Sequence, residues 1–162
     1  MAGVEHDQTC ELLLQQLLQP DSAVVAAATS SLDTFMEQPV CVPVLLRRMQ
    51  SSERPEVRQM AGVYLRKRIR KHWSHIDPAS QQYVQQALMA AIVSEPDHKV
   101  RKAAGNVVAA VAPLALKNTA QPHGKKKKGA SAGGAGWPEL TGFLVQCAGA
   151  SAEHREVAML LF

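Results

Sequence analysis

"PEVRQMAGVYLRKRIRKHW", residues 55–73, decides how the chain folds. Val57, Ala61 and Leu65 stand four residues apart, which draws an apolar stripe down one side of a helix. The small middle residue lets a neighbouring backbone approach closely. Pro55 and Glu56 suit a first turn, where the missing amide hydrogen would be unpaired anyway. On a helical wheel Met60, Tyr64 and Ile69 join the stripe in one broad apolar face. Arg66, Lys67, Arg70 and Lys71 gather on another, about 140° wide. Arg68 falls inside the apolar arc and must snorkel or find a carboxylate. The cationic face has three readings: a solvated flank suited to the negative end of the helix dipole, a nucleic-acid grip, or a docking ridge for a protein. The second is disfavoured because no aromatic platform accompanies the charges.

The same stripe recurs along the chain. Val24, Ala28 and Leu32 precede it; Val100, Ala104 and Val108 follow it, and His154, Arg155, Ala158 and Phe162 make a weaker fourth copy. Arg58 and Gly62 sit directly after the first and second stripe positions of their copy, and Arg101 and Gly105 do so in theirs. The starts lie 33, 43 and 54 residues apart. Each copy follows another apolar helix candidate: residues 5–19, 40–50, 78–93 and 138–148. Pro39, Pro78 and Pro138 suit their first turns, and Asp77 can cap the helix after it. Helix pairs at a period near 40 predict an all-α solenoid of HEAT-type repeats, about four of them.

The 54-residue interval carries its excess visibly, in "KNTAQPHGKKKKGASAGGAG". The expected organisation is therefore repeats one to three over residues 1–116, a flexible Lys/Gly-rich insertion over 117–136, and a fourth repeat over 137–162. The chain stops mid-stripe at "HREVAMLLF", so the array is expected to continue, with an exposed apolar patch at Leu160, Leu161 and Phe162.

Bulk properties agree with helices packed through small residues. Of 162 residues 46% are hydrophobic, 20% charged and only 4% aromatic, and no alternating Val/Ile/Thr/Tyr runs favour strands. Cys10, Cys41 and Cys147 are widely spaced and form no CxxC pair, which favours a reducing compartment. The net charge of +4 hides an asymmetry: residues 1–37 hold six acids and no Lys or Arg. Glu5, Asp7 and Glu11 read as solubilising charges. His72, His75 and Asp77 lack a fourth metal ligand, and no catalytic constellation is visible, so neither a metal, a cofactor nor an enzymatic activity is expected. Trp73 and Trp137 read as packing between repeats. Lys125–Lys128 reads first as a solvated linker, with a nuclear-localisation signal as the alternative.

"VRQMAGVYLRKRIRKHW" resembles the second helix of the second repeat in nuclear transport receptors of the importin-beta superfamily, particularly the importin-four and importin-five types. The carrying residues are Arg58, Gln59, Met60, Ala61, Leu65, Arg66, Lys67, Arg68 and Trp73. "ELLLQQLLQPDSAVVAAATSSLDTF", "EPDHKVRKAAGNVVAAVA" and "WPELTGFL" are similar to the first, third and fourth repeats. Departures are Lys67, where many relatives carry Asn, the absence of Glu or basic residues between the small positions of the first pair, and the Lys-rich insertion. The resemblance implies a right-handed superhelix that binds the GTPase Ran in its GTP state through the inward second helices. It implies Asp33 and Glu37 on the first of these, Arg66, Lys67, Arg70 and Lys71 on the second, and Asn106 on the third. Import cargo (ribosomal proteins or histones) and nucleoporins would be further partners, in cytoplasm and nucleus. A HEAT scaffold or regulatory subunit is the alternative.

Overall fold

The computed structural model describes residues 2–117 and 136–161, and within them the chain forms eight α-helices and a 3-10 turn. These are α1 (Ala2–Gln16), α2 (Ser22–Phe35), α3 (Cys41–Ser51), α4 (Pro55–His72), the turn Trp73–His75, α5 (Pro78–Ser94), α6 (His98–Lys117), α7 (Glu139–Gly149) and α8 (Ala152–Leu161). Consecutive helices pack as pairs, α1 on α2, α3 on α4, α5 on α6 and α7 on α8. The pairs stack in two layers: α1, α3 and α5 neighbour one another in the first, while α4, α6 and α8 do so in the second. This is the HEAT-type solenoid that the stripes imply. No described helix is long and apolar enough to cross a membrane.

Short-range chemistry sets the helix starts. Asp21 Oδ1 accepts from the Ala23 and Val24 amides at 2.8 and 3.3 Å. Asp77 caps the Ser80 amide at 3.0 Å, and Asp97 caps those of Lys99 and Val100 at 2.8 and 3.0 Å. Pro55 and Pro78 open their helices as expected. Some boundaries differ, among them that of α7, which starts at Glu139 with Pro138 just before it instead of in its first turn. The first helix leaves off at Gln16 instead of Gln19, because Pro20 and the Asp21 cap commit the chain to a turn there. The second pair begins at Cys41, with Pro39 before the helix and Pro43 inside its first turn.

The stripes form the core. Ala28, Leu32, Val57, Ala61, Leu65, Val100, Ala104 and Val108 are all buried, and both tryptophans join them. Of the fourth copy's stripe, Ala158 is buried with Val157 beside it, while His154 is half-buried and bonds to the Ser151 hydroxyl at 2.7 Å. Met159 and Leu160 are exposed; Phe162, and the side chain of Leu161, lie outside the described residues, as does Lys125–Lys128.

The arginine after the first stripe residue has a repeated duty. Arg58, Arg101 and Arg155 each donate to a carbonyl of the loop before their own helix: Ser52 at 2.9 Å, Glu95 at 2.7 Å and Ala150 at 3.2 Å. Arg58 also grips the Glu95 carboxylate through two hydrogen bonds of 3.0 and 2.9 Å, and Arg101 reaches Glu153 at 3.0 Å. The second pair is thus clamped to the third and the third to the fourth. The glycines mark where second-layer helices touch: a Cβ on Gly62 would lie 3.0 Å from the Ala103 Cβ, and one on Gly105 would lie 2.9 Å from Val157 Cγ1.

The reading of Asp7 and Glu11 as mere solubilising charges is incorrect. Asp7 receives Arg47 Nε at 3.1 and 3.0 Å and faces Arg48 at 3.6 Å. Glu11 faces Arg48 at 3.5 Å and accepts from the Ser52 hydroxyl at 2.8 Å. These acids fasten α1 to the second pair, a role that needs partners 40 residues away and is invisible on a helical wheel.

Candidate functional site

Helix α4 presents its cations on the turns that follow the Gly62 contact, and α6 runs beside it. Between them lies a groove of about 380 Å³, lined by Arg66, Lys67, Arg70, Asn106, Ala109 and Ala110. Arg66 and Arg70 are four residues apart and therefore share a face. Asn106, Ala109 and Ala110 have the i, i+3, i+4 spacing that makes one wall of α6. The small alanines leave the space that larger side chains would fill. The ammonium of Lys67 sits 5.0 Å from the centre of the Tyr64 ring, a cation–π contact that holds it beside the groove. Burial, reinforced by the charge of Asp33, pushes the Tyr64 phenol above its ordinary range.

The seven residues singled out in the sequence fall into two groups. Arg66, Lys67, Arg70 and Asn106 meet in the groove. Asp33, Glu37 and Lys71 belong instead to an ion-pair network centred on Arg68. Arg68 Nη2 reaches Asp33 at 3.2 Å and its Nη1 reaches Glu37 at 3.1 Å, while Lys71 pairs with the other oxygen of Glu37. A hydrogen bond from Lys71, with its charge, holds the Glu37 carboxyl below the usual range. Glu37 lies past the end of α2, after the capping Met36, and not on the helix as expected. Next to it the buried His72 Nε2 donates to the Met36 carbonyl at 2.9 Å. Arg68 thereby finds the carboxylates that its place on the wheel demands.

The consequence is electrostatic. No ion pair among the described residues involves Arg66, Lys67 or Arg70. All three are exposed, and Asp33 and Glu37 are taken by Arg68 and Lys71 while the groove keeps its positive charge. The sequence reading missed Ala109 and Ala110. Pro113 stands inside α6 and has no amide hydrogen to return to the Ala109 carbonyl. A proline four residues after a groove-lining position is a signal that could have drawn attention to it.

Residues 28–94, which hold α4 and the helices before and after it, match the importin-beta N-terminal domain. The chain is 36% identical over 135 residues to the probable importin subunit beta-4 of Schizosaccharomyces pombe, covering 83% of this chain and 11% of that one. The chain belongs to the importin-beta superfamily. It is also 24% identical over 152 residues to importin-4 of Mus musculus, covering 93% of this chain and 12% of that relative. Both are of the importin-four type that the motifs resemble. The chain thus spans about a tenth of the length of these importins. Among solved structures, the crystal structure of Kap121p bound to RanGTP superposes with a TM-score of 0.74. That match has 18% identity and covers 97% of this chain and 14% of Kap121p, so it speaks for the importin fold alone.

Proposed function

We propose that this importin-beta-type chain is a Ran-binding segment of a nuclear transport receptor, with its repeats over residues 1–116 as the binding unit. The observation that carries the reading is the groove of unpaired cations between α4 and α6 in an importin-beta N-terminal domain. Arg66, Lys67, Arg70 and Asn106 are the contact residues of this proposal. Asp33, Glu37 and Lys71 act beside them, and engage Ran only by giving up pairs they already make with one another and Arg68. The basic face beside an acidic first repeat makes a dipolar surface, which orients a charged protein and speeds its arrival. Receptor and Ran would meet in a cycle between cytoplasm and nucleus, with import cargo and nucleoporins as further partners. The chain binds and releases in this reading and catalyses nothing.

The test is a pull-down with Ran loaded with a non-hydrolysable GTP analogue and, separately, with GDP. The GTP form should be retained and the GDP form should not, and Arg66→Gln with Arg70→Gln should lower retention. Equal recovery of both forms, or of neither, would count against Ran as the partner and favour a HEAT scaffold.

A further inference from the structure

We infer that the groove between α4 and α6 is a receptor for an acidic, extended peptide segment, read by its carboxylates and by a backbone amide. This rests on the groove being the partner-binding surface of the preceding section and specifies what part of a partner enters it.

Three features select that ligand. Arg66 and Arg70 share one face of α4, and guanidinium forks match carboxylates in bidentate geometry better than an ammonium does. Neither is engaged by a carboxylate among the described residues, where Arg68 and Lys71 hold Asp33 and Glu37. The opposite wall is neutral: Asn106 offers an amide that can both donate and accept, and Ala109 and Ala110 leave room beside it. A peptide running along the groove can give its own N–H to the Asn106 side-chain oxygen while its side chains meet the arginines. The volume, about 380 Å³, suits two or three residues of a strand or loop.

A nucleic-acid strand fits less well. Binding of bases needs free aromatic faces, and Lys67 stands over Tyr64, on the flank of the groove.

The test uses the 162-residue chain and a fluorescein-labelled peptide alternating Glu, Asp and Gly, titrated by anisotropy at low salt. Arg66→Gln combined with Arg70→Gln should weaken binding about tenfold or more. Asn106→Ala, or N-methylation of the central peptide amides, should weaken it by about threefold. Arg54→Gln, at the exposed start of α4, should leave it unchanged. Thermal unfolding midpoints of these variants should match the parent, since the changed groups are outside the core. An equal loss in the Arg54 variant would overturn the proposal in favour of diffuse attraction. So would inorganic phosphate competing as well as the peptide at equal charge, or an RNA oligonucleotide binding more tightly. Ran in its GTP form is titrated in parallel. If peptide binding depends on the groove and Ran binding does not, the groove keeps its ligand class and Ran is excluded from it. If Ran binding depends on Arg66 and Arg70 but the peptide fails to bind, the functional reading stands and the peptide inference falls.

Discussion

Gly62→Ala adds one methyl group where α4 meets α6, and its effect can be worked from the contact distances. The new Cβ would lie 3.0 Å from the Ala103 Cβ and 3.2 Å from Met49 Sδ. Comfortable carbon–carbon contact is about 3.5–4.0 Å, so the helices must part locally by roughly half an ångström or more. Ala103 has no rotamer with which to retreat. Overpacking of this kind costs about 1–3 kcal/mol. Replacing glycine by alanine inside a helix returns about 1 kcal/mol of intrinsic preference. The expected net loss is therefore about 0–2 kcal/mol.

Gly142→Ala supplies the control. A Cβ there meets nothing within 4 Å, and the position is exposed on α7. The helix preference then acts unopposed, and the variant should gain up to about 1 kcal/mol. Urea unfolding followed by circular dichroism measures both, with the slope checked for two-state behaviour. Adding Ala103→Gly to Gly62→Ala moves the methyl from one wall to the other, so the double variant should be more stable than the sum of the single effects predicts. Gly62→Ala stabilising the chain as much as Gly142→Ala does, with additive double-variant energies, would refute the close contact.

Glu95→Ala strips the half-buried Arg58 guanidinium of two hydrogen bonds and should cost about 2–4 kcal/mol in the same assay; Glu95→Gln, which keeps an acceptor, should cost less. The carboxyls of Glu37, Asp77, Asp97 and Glu156 are all held below their ordinary values, by Lys71, by Ser80, by the Val100 amide and by Lys102 respectively. Their contribution is present above the unfolded values of 4.5 for Glu and 3.8 for Asp and is lost as pH falls through the folded ones. Thermal midpoints should accordingly drop on acidification below about pH 4.5, while a flat profile from pH 5 to 3 would contradict the caps and pairs. Burial raises the Cys10 thiol to about 12 and that of Cys41 to about 11. Both should resist Ellman's reagent at pH 8 in the folded chain and react once urea is added. The stability their burial confers should decline as pH climbs past the unfolded value of 9.0.

The fold was legible because its information is local. A stripe at four-residue spacing specifies a helix face whatever lies opposite. The Arg and Gly that follow stripe positions repeat because each does a local job, closing a loop carbonyl or admitting a neighbour. Where local signals conflicted the reading slipped. Leu17 and Leu18 continue the apolar period of α1, yet Pro20 and Asp21 end it. In α8 the stripe names Ala158 and not its buried neighbour Val157, which faces the gap at Gly105 on another helix.

The site was legible only as a list of charges, and the reason is geometric. A wheel places Arg66, Lys67, Arg70 and Lys71 on one face and has no means of separating them. What separates them is the end of α2, which delivers Glu37 to Lys71 and Arg68 and no acid to Arg66 or Arg70. That delivery depends on how the first pair seats against the second, and the seating is itself held by Asp7 and Glu11 on Arg47 and Arg48. The acids of the first repeat therefore do two things at once. They clamp the pairs together, and by occupying particular cations they leave others free. Arg68 joins α4 to Asp33 and Glu37 of the first pair, so the proposed binding at the groove should respond to its loss. An Arg68→Gln variant would release Asp33 and Glu37, and Asp33 already acts on Tyr64, the ring that seats Lys67. Exposed pairs of this kind contribute less than about 1 kcal/mol each, so the variant should unfold near the parent midpoint. Its signature would lie in a weakened attraction for acidic ligands, restored when Asp33→Asn is added; an affinity that Arg68→Gln leaves untouched would show that the two charge groups are independent.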